Sequence, residues 1–202
     1  MIEIKEMSKK FDDKLLFSNL NLKIESSDFV ILAGPSGCGK TTLLNIIGAL
    51  ETVDEGEVTV DGIDITNKKN HLNYFRTKIG FLFQNFALVD HKTVEQNLEM
   101  IQKQYRTHLT IEEALSRVGL EDKIKKKVFT LSGGEQQRIA LARLMLKKCD
   151  LILADEPTGS LDQKNAELVI EILKNMNKEG KTIVLVTHDE VIKQKGKRLV
   201  NL

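Results

Sequence analysis

The chain has 202 residues, a length that suits one domain with a well-packed core. Its 30 Lys and Arg side chains almost cancel its 29 Asp and Glu side chains. The sequence therefore offers neither the basic field that favours nucleic-acid binding nor an acidic tail. No apolar run approaches the roughly 18 residues that indicate a membrane span, and the first residues contain no apolar stretch typical of a signal peptide.

The amino-terminal segment predicts two strands joined by a loop. Apolar and polar side chains alternate over residues 2–7 and 20–24, as they do in half-exposed strands. Residues 9–14, between them, are polar apart from Phe11 and predict the loop. An aromatic side chain in such a loop can stack on a nucleotide base or tuck into the core, and the local sequence favours neither interpretation.

The segment GPSGCGKT, residues 34–41, carries the first strong functional signal. It follows the apolar run 29–33, which predicts a buried strand, and precedes the helix-like residues 42–47. Glycines let the backbone turn so that N–H groups face phosphate oxygens, and the helix start adds positive potential. Lys40 can then reach the β- and γ-phosphates while the Thr41 hydroxyl ligates Mg²⁺. This stretch predicts a nucleoside triphosphate site.

More strands are predicted before the middle of the chain. Residues 54–56 predict a turn, residues 57–60 alternate as a strand, and the Asp-Gly pair at 61–62 is a strong tight-turn signal. The apolar residues 79–83 predict a further strand that ends at Gln84.

The middle of the chain changes character and predicts helices. Residues 93–127 contain no proline and show helical periodicity, including a capping box of Thr110 with Glu113 and a plausible helix end at Gly119. Four lysines between residues 123 and 127 form the only dense basic cluster, and we interpret them as a solvated surface. This region is predicted to be a helical subdomain inserted into a nucleotide-binding core.

The segment LSGGEQQR, residues 131–138, is the most specific motif in the chain. Ser132 and Glu135 form a capping box that opens a helix predicted over residues 136–146. A helix start does not by itself require the two glycines that follow the serine, because glycine costs backbone entropy. Beside a hydroxyl at a positive helix end, they allow close approach of an anion. A second phosphate-contacting surface is therefore predicted here.

The last third alternates strands with a helix, which implies a parallel sheet with its ligand at the carboxyl ends of the strands. Buried strands are predicted over residues 151–154 and 182–187, with a helix over 166–176 between them. Four polar features follow such strands: the phosphate loop, Gln84, the pair Asp155 and Glu156, and His188.

The acidic pair after the strand 151–154 suggests two distinct roles. Asp155 suits Mg²⁺, directly or through water, as in other phosphate-loop enzymes. Glu156, next to a metal-binding carboxylate, can accept a proton from an attacking water molecule. The pair would be an ordinary acidic turn in isolation, but the phosphate loop in the same chain favours the catalytic interpretation.

Six features occur in this order along the chain: GPSGCGKT, Gln84, LSGGEQQR, LILADEP, the Ser-Leu-Asp at 160–162 and His188. Together they resemble the ATP-binding-cassette (ABC) ATPases over essentially the whole chain. The resemblance implies an α/β phosphate-loop fold: a mixed, largely parallel sheet with helices on both faces, an N-terminal antiparallel β subdomain and an inserted α-helical subdomain. It implies one domain over residues 1–202, with a core of 1–85 and 151–202 and a helical subdomain of 86–150.

The resemblance also implies roles for single residues. Glu156 resembles the catalytic base, Gln84 the glutamine near Mg²⁺ and the attacking water, and His188 the switch histidine that touches the γ-phosphate. Asp155 resembles a metal ligand together with Thr41 and Gln84. Nucleotide contacts are implied for the following residues: Phe11, whose position is that of the base-stacking aromatic, Gly34, Pro35, Ser36, Gly37, Cys38, Gly39, Lys40, Thr41, Thr42, Ser132, Gly133, Gly134 and Asp162, the last of which links the two sites of a dimer.

The family implies ATP and Mg²⁺ as cofactors and a head-to-tail homodimer that sandwiches two ATP molecules between the phosphate loop of one subunit and the Ser132 segment of the other. Residues 44–48 and 79–86 resemble exporter cassettes of the lipoprotein-release, macrolide-efflux and bacteriocin-export group, which act with separate permease subunits. The surface from Asn85 to Met100, including a helix predicted over residues 94–104, is then expected to receive the permease. Cys38 and Cys149 cannot form a disulfide framework, so a reducing cytoplasm is the expected compartment. The chain is expected on the inner face of the cell membrane through its permease.

Two other function classes remain as alternatives. A cassette ATPase acting on ribosomes or DNA usually carries two cassettes, a long coiled-coil insertion or metal-binding fingers, and the sequence shows none; no nucleic-acid partner is expected. A phosphate-loop GTPase or kinase would need a different base reader, since the segment at 67–70 ends in Asn where the N-K-x-D motif has Asp.

Overall fold

In the computed structural model, which describes residues 1–12 and 14–202, a five-stranded sheet forms the centre of the molecule. Its strands are β3 (Phe29–Ala33), β6 (Ile79–Leu82), β7 (Leu151–Asp155), β8 (Thr182–Val186) and β9 (Arg198–Asn201). They pair in the order β6-β7-β8-β3-β9, and every pairing is parallel. The strands β3 and β8 are buried along their whole length, as expected of apolar runs covered on both faces. The predicted parallel sheet is confirmed.

An antiparallel sheet lies at the amino-terminal end of the chain. It consists of β1 (Ile2–Phe11), β2 (Lys14–Ile24), β4 (Glu55–Val60) and β5 (Ile63–Asp64), in the order β2-β1-β4-β5. The β4–β5 connection is the predicted tight turn, with Asp61 and Gly62 both at positive φ. The predicted antiparallel subdomain is confirmed.

Two local predictions in this sheet are wrong. The polar loop expected over residues 9–14 is largely strand, because β1 and β2 pair as far as Phe11 and Lys14; residue 13 lies outside the described residues. Lys9 is buried within β1 with its ammonium 2.8 Å from a Glu51 carboxylate oxygen, so the charge is satisfied inside the sheet. The turn expected over residues 54–56 is shorter, since Glu55 already pairs with Ser8 of β1.

Seven α-helices are present in the described residues. They are α1 (Lys40–Ile47), α2 (His71–Thr77), α3 (Val94–Glu99), α4 (Ile111–Arg117), α5 (Gly133–Leu146), α6 (Gln163–Lys178) and α7 (Glu190–Lys193). Short 3₁₀ helices occur at Lys68–Asn70, Lys103–Tyr105, Glu121–Lys123 and Val128–Thr130. Within the described part of the chain, no helix is both long and apolar enough for a bilayer crossing.

Helix boundaries follow the capping groups. The two predicted capping boxes, at Thr110 and Ser132, are both formed. The helix expected over residues 94–104 is wrong in length, because α3 ends at Glu99. The guanidinium of Arg106 donates hydrogen bonds to the carbonyls of Glu99 and Ile101, which occupies acceptors at the carboxyl end of this helix.

The parallel sheet separates two hydrophobic clusters. Alternate residues of β7 point to opposite faces: Ile152 belongs to the cluster with α4, α5 and α6, while Leu153 belongs to the cluster with α1, α2 and the antiparallel sheet. Helices therefore cover both faces, as predicted. Because Ile139 of α5 shares its cluster with Ile152, the helical region between β6 and β7 packs onto the core it interrupts. Its boundaries as a subdomain stay a prediction.

Candidate functional site

The polar groups that follow the strands meet at one edge of the parallel sheet. Gln84 follows β6, Asp155 ends β7 and Glu156 follows it, His188 follows β8, and the phosphate loop follows β3. These four strands are direct neighbours in the sheet. The topology therefore brings together groups that are up to about a hundred and fifty residues apart in the chain, at the edge where parallel α/β sheets bind their ligands.

The phosphate loop is tightly folded between β3 and α1. Gly39 has φ +103, immediately before the helix, and a Cβ there would lie 2.5 Å from the ring of Phe17. Only glycine fits this position. Lys40 is buried, and its ammonium donates hydrogen bonds to the carbonyls of Gly34 at 3.0 Å and Pro35 at 2.8 Å. The loop thus presents a helix amino terminus and a cation together, which are the elements that a triphosphate needs.

A hydroxyl and a carboxylate from different elements lie together beside this loop. The Thr41 hydroxyl, in the first turn of α1, donates a hydrogen bond of 3.2 Å to the carboxylate of Asp155. Both are hard oxygen donors of the kind that Mg²⁺ prefers. Burial raises the pKa of Asp155, and the hydrogen bond from Thr41 opposes that shift. The described residues hold no group of three or more His, Cys, Asp or Glu side chains that would cage a metal.

Glu156 combines backbone strain with a partly desolvated carboxylate. Its φ is +44, a left-handed conformation that is uncommon for residues other than glycine. Its N–H donates to the carbonyl of Val186, which extends the pairing of β7 with β8 by one residue. Its side chain is only 17% exposed, and Oε1 is buried with no hydrogen-bond partner among the described residues. The imidazole Nε2 of His188 lies 3.5 Å from that oxygen.

The environment of Glu156 sets its protonation. Burial raises the pKa of the Glu156 carboxyl; His188 acts to lower it, and the nearby Asp155 acts to raise it. A carboxylate whose pKa moves towards neutrality is a better proton acceptor at physiological pH. The left-handed backbone of Glu156 was not predicted, because the sequence Asp-Glu-Pro contains no signal for it.

Gln84 lies at the same edge, opposite the segment that follows β7. A Cβ placed on Gly159 would lie 3.4 Å from the Gln84 amide nitrogen and 3.7 Å from the Glu156 Cβ. Gln84 is exposed, so its amide is available to a ligand. The structure therefore brings Gln84, Glu156 and His188 to one place, as the sequence predicted.

The Ser132 turn is complete within its own helix. The Ser132 hydroxyl accepts a hydrogen bond from the Glu135 N–H at 3.3 Å, and the Ser132 N–H donates to the Glu135 carboxylate at 2.8 Å. Gly133 is exposed, with open space for a side chain beyond Phe86 at 3.7 Å, whereas a Cβ on Gly134 would lie 2.8 Å from the Asn165 side chain. The second glycine therefore has a packing role that the sequence interpretation missed.

Asp162 begins α6 and is linked to the same glycine. Its carboxylate accepts hydrogen bonds from the Asn165 N–H at 2.9 Å and from the Asn165 side-chain amide at 2.6 Å. These bonds, led by that of the Asn165 backbone, lower the pKa of Asp162. Asn165 therefore joins Asp162 to Gly134 within one chain.

Two predicted site elements, the Ser132 turn and Phe11, are not bonded to the edge of the parallel sheet within this chain. Among the described residues, no hydrogen bond or ion pair joins Ser132, Gly133 or Gly134 to the phosphate loop. Phe11 lies at the end of β1, 45% exposed, with the Lys9 ammonium 4.8 Å from its ring centroid. Its ring is thus accessible and not tucked into the core.

A family model described as ABC transporter matches residues 17–159. The chain belongs to the ABC transporter family. Its fold is that of a solved cassette, the dimeric structure of MJ0796 of Methanocaldococcus jannaschii, with a TM-score of 0.88, 39% identity, and coverage of 100% of this chain and 94% of that one. The resemblance stated from the motifs is confirmed, and so is the predicted fold class.

Two named relatives give the setting of such cassettes. The macrolide export ATP-binding/permease protein MacB of Mannheimia succiniciproducens is 39% identical over all of this chain, which spans only 33% of that protein. The glutamine transport ATP-binding protein GlnQ of Bacillus subtilis is 40% identical over 94% of this chain and 81% of its own length. This chain is therefore an ATP-binding-cassette ATPase of the kind that serves transport systems.

Proposed function

We propose that this chain is the ATP-hydrolysing subunit of an exporter: it dimerises head-to-tail on ATP and drives a separate membrane permease. The catalytic part of the proposal is carried by one observation, the placement of Glu156 and His188 3.5 Å apart beside the Thr41–Asp155 pair. The direction of transport is supported by the match of the whole chain to 33% of MacB, a macrolide export ATP-binding/permease protein. Because GlnQ, a glutamine transport protein, is about as similar to this chain as MacB, the cargo needs a direct test.

The nucleotide would be held mainly by the phosphate loop. The Lys40 ammonium, now bonded to two loop carbonyls, lies where it can turn to phosphate oxygens. The exposed ring of Phe11 would stack on the base. The remaining contacts would come from backbone N–H groups and hydroxyls of the loop and of the first turn of α1: Gly34, Pro35 and Ser36 at its start, Gly37, Cys38 and Gly39 at its end, then Thr41 and Thr42.

Mg²⁺ would be held by Thr41 and Asp155, with Gln84 beside it, and the residues present fit this ion because they offer oxygen ligands. When bound, the ion would neutralise charge on the phosphate oxygens. Partial burial raises the pKa of the Asp155 carboxyl, and a bound cation would favour its ionised form.

Hydrolysis would use Glu156 as general base. Its carboxylate takes a proton from water as the water oxygen bonds to the γ-phosphorus, and the bond from that phosphorus to the β–γ bridging oxygen breaks to leave ADP and phosphate. Gln84 would orient the attacking water. His188, 58% exposed and in reach of Glu156, is placed to touch the γ-phosphate once nucleotide is present.

The Ser132 turn would supply the other half of each site to a second copy of the chain. The Ser132 oxygen accepts a bond from Glu135, so the hydroxyl proton remains available to donate. The N–H groups of Gly133 and Gly134 lie in the first turn of α5, where no intrahelical acceptor exists. Ser132 and Gly133 are exposed, so an anion can approach this end of the helix, whereas Gly134 is buried. Asp162 would link the two sites of the dimer.

The permease would bind the surface between Asn85 and Met100 and hold the chain at the inner face of the membrane. Val89 and Met100 are exposed apolar residues there, and Phe129 is exposed beside His91, with ring centroids 5.9 Å apart. Exposed apolar side chains of this kind are what a protein–protein interface would cover.

Glu156→Gln tests the proposal. The variant should retain ATP and elute as a dimer, while phosphate release falls by about a hundredfold or more, because the general base is lost. Wild-type hydrolysis by this variant would contradict the role of Glu156. Purification from membranes with and without Met100→Asp addresses the partner: a permease should copurify with the parent chain and be lost with the variant. Recovery of ribosomes or DNA in its place would favour the alternative function.

A further inference from the structure

Two consecutive residues after Gln84 have a strained backbone. Phe86 has φ +62 and Ala87 has φ +49, both in the left-handed region. Residues with a Cβ enter this region singly and at a cost, and a pair of them is held only where surrounding contacts over-determine the conformation. The strained pair lies two residues beyond the proposed water-orienting group.

Arg143 of α5 supplies those contacts. Its guanidinium donates to the Ala87 carbonyl at 2.6 Å and to the Phe86 carbonyl at 3.0 Å. The ring of Phe86 lies against the start of the same helix, 3.7 Å from where a Cβ of Gly133 would be. One helix therefore touches the strained pair twice, near its first turn and near its third.

The charged group of Arg143 bonds to the Phe86–Ala87 turn. Burial lowers the pKa of Arg143, and no charged neighbour contributes to that shift. Its hydrogen bonds go to two backbone carbonyls, with no carboxylate partner among the described residues. A planar fork can bridge two adjacent acceptors, which the point charge of a lysine cannot do in the same way.

We propose that Arg143 is a positioning residue: its guanidinium holds the strained Phe86–Ala87 backbone on α5, so that the segment carrying Gln84 and the Ser132 turn move as one body. The proposal rests on the proposed role of Gln84. A shift of the permease surface at Val89 would then reach both the water-orienting amide and the phosphate-contacting turn through a single rigid connection.

The test first removes the Arg143 guanidinium, here called the clamp, and then relieves the backbone strain at Ala87. Arg143→Met should lower kcat for ATP hydrolysis by about tenfold with KM for ATP changed by less than about twofold, because orientation is lost while the phosphate loop is untouched. Arg143→Lys should lose nearly as much. Adding Ala87→Gly to Arg143→Met should restore about fivefold, since glycine adopts the left-handed conformation without the clamp.

Ala49 provides the matched control. It also has a positive φ, +53, but follows α1 and makes no hydrogen bond with Arg143. Ala49→Gly added to Arg143→Met should restore nothing. Equal rescue by both glycines, or a kcat loss that only follows a fall in Tm, would overturn the positioning role.

Hydrogen exchange separates this proposal from that for Gln84. In Arg143→Met the amides of residues 86–89 should exchange faster, while those of β7 keep their wild-type rates. Unchanged exchange at residues 86–89 would refute the clamp whatever the activity. If Gln84→Ala kept wild-type kcat, the role of Gln84 would be wrong, and the exchange result would still decide whether Arg143 holds the turn.

Discussion

The carboxyl edge of the parallel sheet and the Ser132 turn are completed in different ways. At the sheet edge, side chains from separate segments already touch: Thr41 bonds to Asp155, and Glu156 lies 3.5 Å from His188. At the turn, the bonds of Ser132 go to its own helix, and the next residue is open to solvent. The first region is assembled by the topology of one chain. The second is a complete helix start at which Ser132 and Gly133 remain exposed.

The physical cause of the difference is the geometry of the two element types. Parallel strands end at a common edge, so residues distant in sequence converge there without further help. A helix start leaves backbone N–H groups unsatisfied along its axis, and the capping box satisfies only some of them. Such an end is complete as structure and incomplete as a binding site, which is why we expect it to work on another copy of the chain.

Mixing two inactive variants gives the strongest test of this comparison. Lys40→Ala removes the cation of the phosphate loop. Gly133→Asp places a carboxylate at the Ser132 turn, where the monomer has room for it. Each variant alone should lose hydrolysis by about a hundredfold. A one-to-one mixture should recover about a quarter of wild-type phosphate release, because half of the dimers are mixed and each mixed dimer has one intact site.

A mixture that remains inactive, although both variants bind to wild-type chain, would contradict the head-to-tail arrangement. Activity of Gly133→Asp by itself would remove the Ser132 turn from the site altogether. The folded state of each variant is checked by its thermal transition, which should be close to that of the parent chain.

Two capping boxes of the same kind permit a matched comparison with a smaller effect. Ser132→Ala and Thr110→Ala should each lower the free energy of unfolding by about 1 kcal/mol, because each deletes the same type of helix cap. Only Ser132→Ala should also reduce kcat, by about tenfold, through the lost hydrogen bond to phosphate. Denaturant unfolding and phosphate release measure the two effects, and equal activity in both variants would leave Ser132 a purely structural cap.

The smallest expected effect concerns the stability that the protein loses by holding the Glu156 carboxylate at the sheet edge. Burial raises the pKa of Glu156, so the folded protein binds its proton more tightly than the unfolded chain. Ionised Glu156 then destabilises the fold at neutral pH, and the penalty disappears below the unfolded pKa, where both states are protonated. Without nucleotide, Glu156→Gln should raise Tm by about 2–4 °C at neutral pH.

The sign of the pH dependence is the decisive feature of that measurement. The Tm difference between Glu156→Gln and the parent should shrink as pH falls through the raised pKa towards that of an unfolded glutamate. Glu171→Gln, on the exposed face of α6, is the control and should show no such trend. A Tm that falls in the Glu156 variant would mean that the carboxylate stabilises the nucleotide-free edge.

Features fixed by short-range chemistry could be predicted from the sequence. The strands β3, β7 and β8 are continuous apolar runs, which only a covered parallel sheet accommodates. The capping boxes at Thr110 and Ser132 satisfy their own helix starts, so they form regardless of distant context. Because the polar groups directly follow the strands, the sheet edge could be assembled from strand ends alone.

Features that depend on distant partners could not be predicted from the sequence. Lys9 is buried in β1 beside two carboxylates from far along the chain, Glu51 at 2.8 Å and Asp54 at 3.9 Å. The short strand β9 is exposed for most of its length and owes its position to pairing with β3. The left-handed conformations of Glu156 and Phe86 follow from the strand pairing and the Arg143 clamp, and sequence periodicity contains no trace of either.

The contrast between Gly133 and Gly134 has a consequence for reading inactivating variants in cells. A side chain at Gly133 enters open space, so a substituted protein should accumulate normally and fail only in turnover. A side chain at Gly134 meets Asn165, which also holds Asp162, so substitution there disturbs the packing of α5 on α6. Loss of about 1–2 kcal/mol from such a clash can lower cellular abundance several-fold. Neighbouring glycines in one motif would thus yield the same phenotype by two routes, and the amount of protein present tells them apart.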